Sequence, residues 1–172
     1  MKSIIVAALD TGMRRGELLK LRWSDVNFVQ GTITVRAFNT KTLRAREIGM
    51  TTRLAACLIE LERHRAPERV ERDPLVFGLT DIKKSFAGAC VEAKITGCRF
   101  HDLRHTAATR LVQGGLALEE TGRILGHSQP STTYRDTNLD TKTLDRAAEI
   151  LNRLAERFTE PEAAVEERES VN

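Results

Sequence analysis

The chain has 172 residues, of which 41% are hydrophobic and 30% are charged, and these proportions predict one soluble, globular domain rather than a disordered or membrane-embedded chain. No apolar run approaches the roughly 20 residues of a membrane-spanning helix. Before Glu160 the chain holds 26 basic and 19 acidic residues, which suits a polyanionic partner, although a mildly basic solvated surface has the same composition.

The first predicted element is a helix through the apolar residues 4–9, which begins without a capping signal. We therefore expect that the chain is a piece of a longer protein and that an N-terminal part has been removed. Gly12 interrupts this helix, and a second helix is predicted from about residue 15 to residue 21.

Strand composition follows at residues 32–36 and 46–48, with a turn over residues 39–42 between them. Residues 25–28 add a third short strand before the turn at Gly31. These segments predict a small antiparallel sheet.

Helical periodicity then returns and continues almost to the end of the chain. Helices are predicted over residues 52–65, 81–93, 102–113, 118–125, 130–138 and 141–158, with a polar loop at 66–74 and a brief strand at 75–77. The expected fold is mostly α with a small antiparallel β-sheet on one edge (α+β). Residues 159–172 hold five acids and one base, so a flexible acidic tail is expected after a domain spanning residues 1–158.

Three cysteines, Cys57, Cys90 and Cys98, are odd in number and form no paired spacing. They indicate reduced thiols and a cytoplasmic protein. Nothing near them in the sequence would lower the pKa of a thiol, so a catalytic cysteine is not expected.

The most specific chemistry lies at the start of the predicted helix 102–113. His101 and Arg104 are three residues apart and share a helix face. A guanidinium binds phosphate through paired hydrogen bonds, and an imidazole exchanges protons near neutral pH. Such pairs also occur by chance on solvated helices. His105 invites a zinc interpretation, but no glutamate of a His-Glu-x-x-His motif and no third ligand accompany it, so no metal or other cofactor is expected.

Four sequence boxes, in order, resemble the tyrosine recombinase or phage integrase family. They are Thr11-Gly12-Met13-Arg14-Arg15-Gly16-Glu17-Leu18, the turn lysine Lys41, His101-Asp102-Leu103-Arg104-His105 and Leu125-Gly126-His127-Ser128. The resemblance covers nearly all of residues 3–155 and implies the catalytic domain of that family. Any single box would be a weak signal, whereas four in order are specific.

The resemblance implies breakage and rejoining of DNA through a 3′-phosphotyrosine, without a metal or cofactor. Arg14 and Arg104 would hold the non-bridging phosphate oxygens, and Lys41 would protonate the leaving 5′-oxygen. Arg15 is the rival for the first arginine, although the box alignment favours Arg14. Without the family, Lys41 would be an ordinary turn lysine, and Arg14 a solvated helix-capping residue.

The same resemblance assigns the remaining positions. His101 would accept the proton of the nucleophile, and His127 would hydrogen-bond the phosphate. Glu17, one turn after Arg14, would support the residues that contact the phosphate. Outside the family context, His127 after Gly126 would be read as a partner of a helix dipole.

The nucleophile position departs from the family pattern. The family tyrosine follows the histidine of the Leu-Gly-His box by nine residues, and that position is Asp136 in this chain. Tyr134 is two residues early, which in a helix turns a side chain away by about 200°. A carboxylate would repel the phosphate and would give a readily hydrolysed acyl phosphate, so a cleavage-deficient form is expected. In the absence of DNA, Asp136 is expected to pair with Arg14 or Arg104.

The leading hypothesis is therefore a catalytic domain for DNA recombination or integration, of bacterial or phage origin, which lacks a core-binding domain. Its expected partners are double-stranded DNA at the nucleoid and, in the full-length protein, further subunits of a tetramer. The helix from residue 141 either docks on a neighbouring subunit or packs within its own chain. The alternative function is a non-catalytic pseudo-recombinase that regulates recombination, and a water-using nuclease is weaker because no metal cluster or water-activating base is evident.

Overall fold

The computed structural model of the chain describes residues 1–39, 45–64, 73–126 and 141–157. Within these residues the protein is mainly helical and carries one three-stranded sheet. The helices are α1 (Lys2–Thr11), α2 (Arg15–Leu19), α3 (Thr52–Arg63), α4 (Lys83–Glu92), α5 (Phe100–Gln113), α6 (Leu118–Leu125) and α7 (Thr141–Arg157). The strands are β1 (Val26–Asn27), β2 (Thr32–Val35) and β3 (Arg46–Gly49). The predicted fold class is confirmed.

The sheet is antiparallel, in the order β1-β2-β3. Val26 pairs with Ile33, and Ile33 also pairs with Ile48 on the other side. The apolar side chains at positions 33, 35 and 48 are buried, so one face of the sheet covers the helices. The predicted turn between β2 and β3 falls largely on residues 40–44, which lie outside the described residues.

α1 ends because Gly12 adopts a left-handed backbone with φ of 62°, and its N–H donates to the carbonyl of Ala8 at 3.0 Å. A Cβ atom at this position would overlap Cδ2 of Leu125 at the end of α6. The glycine therefore allows the C-terminal ends of α1 and α6 to come into direct contact.

The core is formed where α1 packs against α3 and α5, and where α7 packs against α5 and β3. Leu54 and Leu58 of α3 are fully buried, as the predicted periodicity of this helix requires. α7 buries Ile150 and Leu151, and Ile150 lies against Gly114. α7 thus packs within its own chain, and its docking on a neighbouring subunit stays a prediction.

Several predicted boundaries were wrong by a few residues. α5 begins at Phe100 rather than at residue 102, because the Asp102 carboxylate accepts the backbone N–H of Arg99 at 2.8 Å and so caps the helix from its first turn. α2 ends at Leu19, and α4 begins at Lys83. The helix predicted over 130–138 and the acidic tail lie outside the described residues.

The brief strand predicted at residues 75–77 is reduced to a single bridge between Leu75 and Arg22. The pairing cannot extend, because the chain after Arg22 turns into a short 3-10 helix, Trp23–Asp25. No helix in the described ranges combines the length and apolar character needed to cross a lipid bilayer.

Candidate functional site

Arg14 lies in the turn between α1 and α2, where its extended backbone precedes the first turn of α2. Its Nη1 donates to Oε1 of Glu17 at 3.1 Å, and its Nη2 donates to the carbonyl of Gly126 at 2.7 Å. The side chain is 22% exposed. Arg14 therefore joins the start of α2 to the turn after α6, while part of it stays open to solvent.

Arg15 takes a different position. Its side chain is 54% exposed and lies 3.6 Å from the carboxylate of Asp81. An exposed pair of this kind contributes little to stability. The structure therefore favours Arg14 over Arg15 as the arginine of this site.

Arg104 is buried on α5, with 5% of its surface exposed. Nη1 donates to the carbonyl of Gly12 at 2.7 Å, whereas Nη2 is buried without a hydrogen-bond partner among the described residues. Burial, followed by the charges of Arg14 and Arg46, lowers the pKa of Arg104 to about 10. The group is still a cation at neutral pH, and an unpaired buried cation of this kind is a natural donor to an anion.

Glu17 is the counter-charge of this cluster, and its side chain is 1% exposed. It accepts from the backbone N–H of Arg14 at 2.8 Å and from Nη1 and Nη2 of Arg46 at 3.1 and 2.7 Å. Burial raises the pKa of Glu17, but the hydrogen bonds and charge of Arg46, and then those of Arg14, outweigh it and hold this pKa below 4.5. Glu17 is therefore an anion at neutral pH.

Arg46 is the residue of this cluster that sequence reasoning missed. It opens β3 with a side chain that is only 9% exposed, and its Nε donates to the carbonyl of Ile124 at 2.8 Å. A signal was present, because strand alternation places position 46 on the same face as the buried Ile48. A charged residue on an inward face requires a partner.

Gly126 shapes the turn that both arginines bind. It has φ of 67°, and its N–H donates to the carbonyl of Arg123 at 3.0 Å. A Cβ atom here would lie 2.9 Å from Nη1 of Arg46, so glycine allows the guanidinium to pack against the turn. The next residue in the sequence is His127.

His101 lies one turn before Arg104 on α5 and is exposed. Its ring meets the ring of His105 edge to face, with the centroids 4.8 Å apart. Partial burial, and then the charges of His105 and Arg104, lower the pKa of His101 below 6.5. The imidazole is thus mostly neutral at pH 7 and able to accept a proton.

Among the predicted site residues, the structure brings Arg14 and Arg104 to the junction of α1 and α6, and His101 lies one turn before Arg104 on α5. Lys41, His127 and Asp136 lie outside the described residues, as does Tyr134. Their positions stay predictions.

Cys57, Cys90 and Cys98 form no disulfide bond in the structure. Burial, followed by the neighbouring Cys90, raises the pKa of the Cys98 thiol, so Cys98 is a poor nucleophile at neutral pH. In the ranges that the structure describes, no group of three or more metal-ligating side chains converges.

Comparison with known proteins places this geometry in context. The sequence profile described as "Phage integrase family" matches residues 1–142. A tyrosine recombinase XerC-like protein of Caldanaerobacter subterraneus subsp. tengcongensis is 28% identical over 90% of this chain and 49% of its own length. The shufflon-specific DNA recombinase of Escherichia coli is 29% identical over 77% of this chain and 33% of its own length.

The structure of XerH site-specific recombinase bound to difH substrate, in a pre-cleavage complex, is also similar. It has a TM-score of 0.63 and 27% identity over 87% of this chain and 46% of the XerH chain. The fold is thus that of a tyrosine recombinase catalytic domain, and the chain belongs to the phage integrase family. The chain spans about a third to a half of the length of these relatives.

Chemically, the described part of the site has the charge and the hydrogen-bond donors to receive an anion. Three arginines, Arg14, Arg46 and Arg104, surround the single carboxylate of Glu17. The excess positive charge is partly buried, where electrostatic attraction is stronger than in water. With a neutral imidazole close by, the arrangement is suited to hold a phosphate diester and to accept a proton beside it.

Proposed function

We propose that this chain is the catalytic domain of a site-specific DNA recombinase and that Asp136 makes it unable to cleave DNA. The observation that carries the proposal is the buried Arg104, whose Nη2 has no partner among the described residues, in a chain of the phage integrase family. A phosphate oxygen of DNA supplies the missing acceptor. Arg14, which is 22% exposed, contributes a second guanidinium to the same anion.

The roles of the remaining residues follow from their places in the family boxes. His101, with its lowered pKa, accepts the proton of the nucleophile. Lys41 protonates the leaving 5′-oxygen, and His127 donates to the phosphate. The contacts of Arg14 and Arg46 to the turn at Gly126 support the placement of His127, because they fix the backbone directly before it.

DNA is the proposed partner for two reasons. The E. coli relative is named a DNA recombinase, and the chain before Glu160 carries an excess of seven basic residues. Since phosphate contacts dominate, binding by this domain alone is expected to be weak and to fall steeply with salt. The rest of the proposal concerns the full-length protein. It also contains a core-binding domain, and it recombines DNA as a tetramer in the bacterial cytoplasm.

Asp136 blocks the chemistry in two ways. Its charge repels an incoming phosphate by roughly 1–4 kcal/mol at about 4 Å, depending on screening. An acyl phosphate formed on a carboxylate is hydrolysed by water. The covalent bond between protein and DNA, which is needed for rejoining the strand, is then lost. The phenol needed for a stable phosphotyrosine is absent from position 136.

The test restores the nucleophile in the 172-residue chain. Three proteins are compared: Asp136→Tyr, the original chain and the matched control Asp136→Phe. Each is incubated with end-labelled, nicked DNA duplexes of randomised sequence, and the protein–DNA adducts that survive detergent are counted. Among these three proteins, we expect only Asp136→Tyr to form adducts. The double variant that also carries Arg104→Lys is expected to form none. Stable adducts formed by the original chain would show that Asp136 is not a block.

The same position supports a second candidate function, a DNA-binding regulator without strand-transfer activity. It predicts that Asp136→Tyr binds duplex DNA with the same salt dependence as the original chain and forms no adduct. The retention of Arg14, His101, Arg104 and His127 in the sequence favours the first candidate, because a regulator needs no proton acceptor beside the phosphate.

A further inference from the structure

Arg46 is not placed to bind an external anion. Its Nε, Nη1 and Nη2 all donate to acceptors within the chain, at distances of 2.8, 3.1 and 2.7 Å. The side chain is 9% exposed, compared with 22% for Arg14. Its effect on the site must therefore pass through the groups that it holds.

We infer that Arg46 is a positioning residue, which occupies both oxygens of Glu17 and thereby keeps Arg14 turned toward the phosphate site. The inference rests on the proposed function, because it concerns the same anion receptor. Arg46 acts through the position and charge of Glu17 and Arg14, and it makes no contact with DNA.

The first argument concerns competition for Glu17. An arginine beside a carboxylate prefers a two-pronged pair, with two parallel N–H to oxygen bonds. Arg46 makes this pair with Glu17, at 3.1 and 2.7 Å. Arg14 is left with a single side-chain bond to Glu17, and its Nη2 reaches Gly126 instead. Without Arg46, Arg14 is expected to close on Glu17 and withdraw from the anion.

The second argument concerns charge. Glu17 is 1% exposed, so its charge needs a partner nearby. Arg46 supplies that partner and is itself almost fully buried. The charges of Arg14 and Arg104 then stay available to an incoming phosphate.

The third argument concerns the backbone. Arg46 binds the carbonyl of Ile124 and packs against Gly126, the residue directly before His127. It also opens β3, five residues after Lys41 in the sequence. One side chain therefore anchors both the turn that leads to His127 and the strand that follows Lys41.

The experiment uses the 172-residue chain and inorganic phosphate as the probe. Arg46→Lys keeps the charge but presents a single point donor, which cannot span both oxygens of Glu17 and the Ile124 carbonyl. Arg63→Lys is the matched control, because Arg63 is 75% exposed on α3. Phosphate affinity is measured by NMR titration, together with the melting temperature and the titration of the Glu17 carboxyl carbon.

For Arg46→Lys we expect a lower melting temperature, because the bond to the Ile124 carbonyl is lost. At temperatures where the variant is folded, we expect a higher pKa of Glu17 and a phosphate affinity reduced by about tenfold or more. In a Glu17→Gln background the same substitution is expected to change affinity by less than about twofold, because no carboxylate draws Arg14 away. A purely structural role would also lower the melting temperature but would show no such dependence on Glu17.

The outcomes separate the two proposals. Equal phosphate affinity of Arg46→Lys and the original chain, or an unchanged titration of Glu17, overturns the positioning role alone. Equal losses in the presence and absence of the Glu17 carboxylate also overturn it. Absence of phosphate binding by the original chain and by Arg63→Lys overturns the proposed phosphate site and, with it, this inference.

Discussion

Two clusters of arginines and carboxylates include residues next to the small sheet, and their charge balance differs. The sheet-edge cluster contains Asp25, which is paired with Arg36, and Asp73, which lies 3.2 Å from Nη2 of Arg36. Arg22 donates to the backbone carbonyl of Asp73. Two arginines thus face two aspartates, and Arg36 is 30% exposed.

The site cluster, formed by Arg14, Glu17, Arg46 and Arg104, holds three arginines against one carboxylate. One of them, Arg104, is buried with an Nη2 that no described residue accepts. The two clusters contain the same residue types, so composition does not distinguish them. The excess of buried positive charge does distinguish them, and it is the basis of the proposed anion site. The balanced cluster only ties β1 and β2 to the segment at residue 73.

The largest effect is expected from removing the carboxylate of each cluster. Glu17→Gln should lower the free energy of unfolding by about 3–5 kcal/mol, because it leaves three arginines without a buried counter-charge. Asp25→Asn should lower it by about 1 kcal/mol, since Arg36 is 30% exposed and keeps Asp73. Urea unfolding of both variants measures the difference. Similar losses would show that the charge imbalance has no energetic weight.

The next effect compares Gly12, whose carbonyl accepts from Arg104 of the site cluster, with Gly31 in the turn between β1 and β2. Gly12 and Gly31 both have a left-handed backbone, with φ of 62° and 64°, but a Cβ at Gly12 would overlap Leu125, whereas one at Gly31 meets nothing within 4 Å. Gly12→Ala should cost about 2–4 kcal/mol through strain and overpacking. Gly31→Ala should cost about 1–2 kcal/mol through strain alone. Thermal unfolding of the pair checks this order, and equal costs would contradict the close contact of α1 and α6.

The smallest expected effect is a dependence of the folding stability on pH in the acid range. The pKa of Glu17 is lower in the folded protein than its usual 4.5, so its contribution to stability is present above that pH and is lost as the pH falls through the lowered value. The stability gap between the original chain and Glu17→Gln should therefore narrow below pH 4.5. Urea midpoints across the acid range give this gap, which would stay constant if folding left the pKa of Glu17 unchanged.

Local signals in the sequence were sufficient for most elements. α6 spans Leu118–Leu125, as predicted, because glycines lie on both sides of an amphipathic segment. The antiparallel sheet followed from β-branched runs and a glycine turn. Arg14 and Arg104 were selected through family boxes, which report on chemistry directly.

Contacts between distant segments were not predictable in this way. The bond from Arg14 to Gly126 joins positions 112 residues apart, and that from Arg46 to Ile124 joins positions 78 apart. Nothing local shows that α1 and α6 end at the same point. Arg46 was missed for this reason, since its importance depends on Glu17 and Ile124, and these become its neighbours only in the folded chain.

A crystal structure of this chain with duplex DNA tests the central claim most directly, namely that the unpaired charge of the site cluster receives one backbone phosphate. We predict a phosphate oxygen at about 3 Å from Nη2 of Arg104, with a second oxygen at a similar distance from the guanidinium of Arg14. DNA bound elsewhere, with Nη2 of Arg104 paired to a residue of this chain, would contradict the claim.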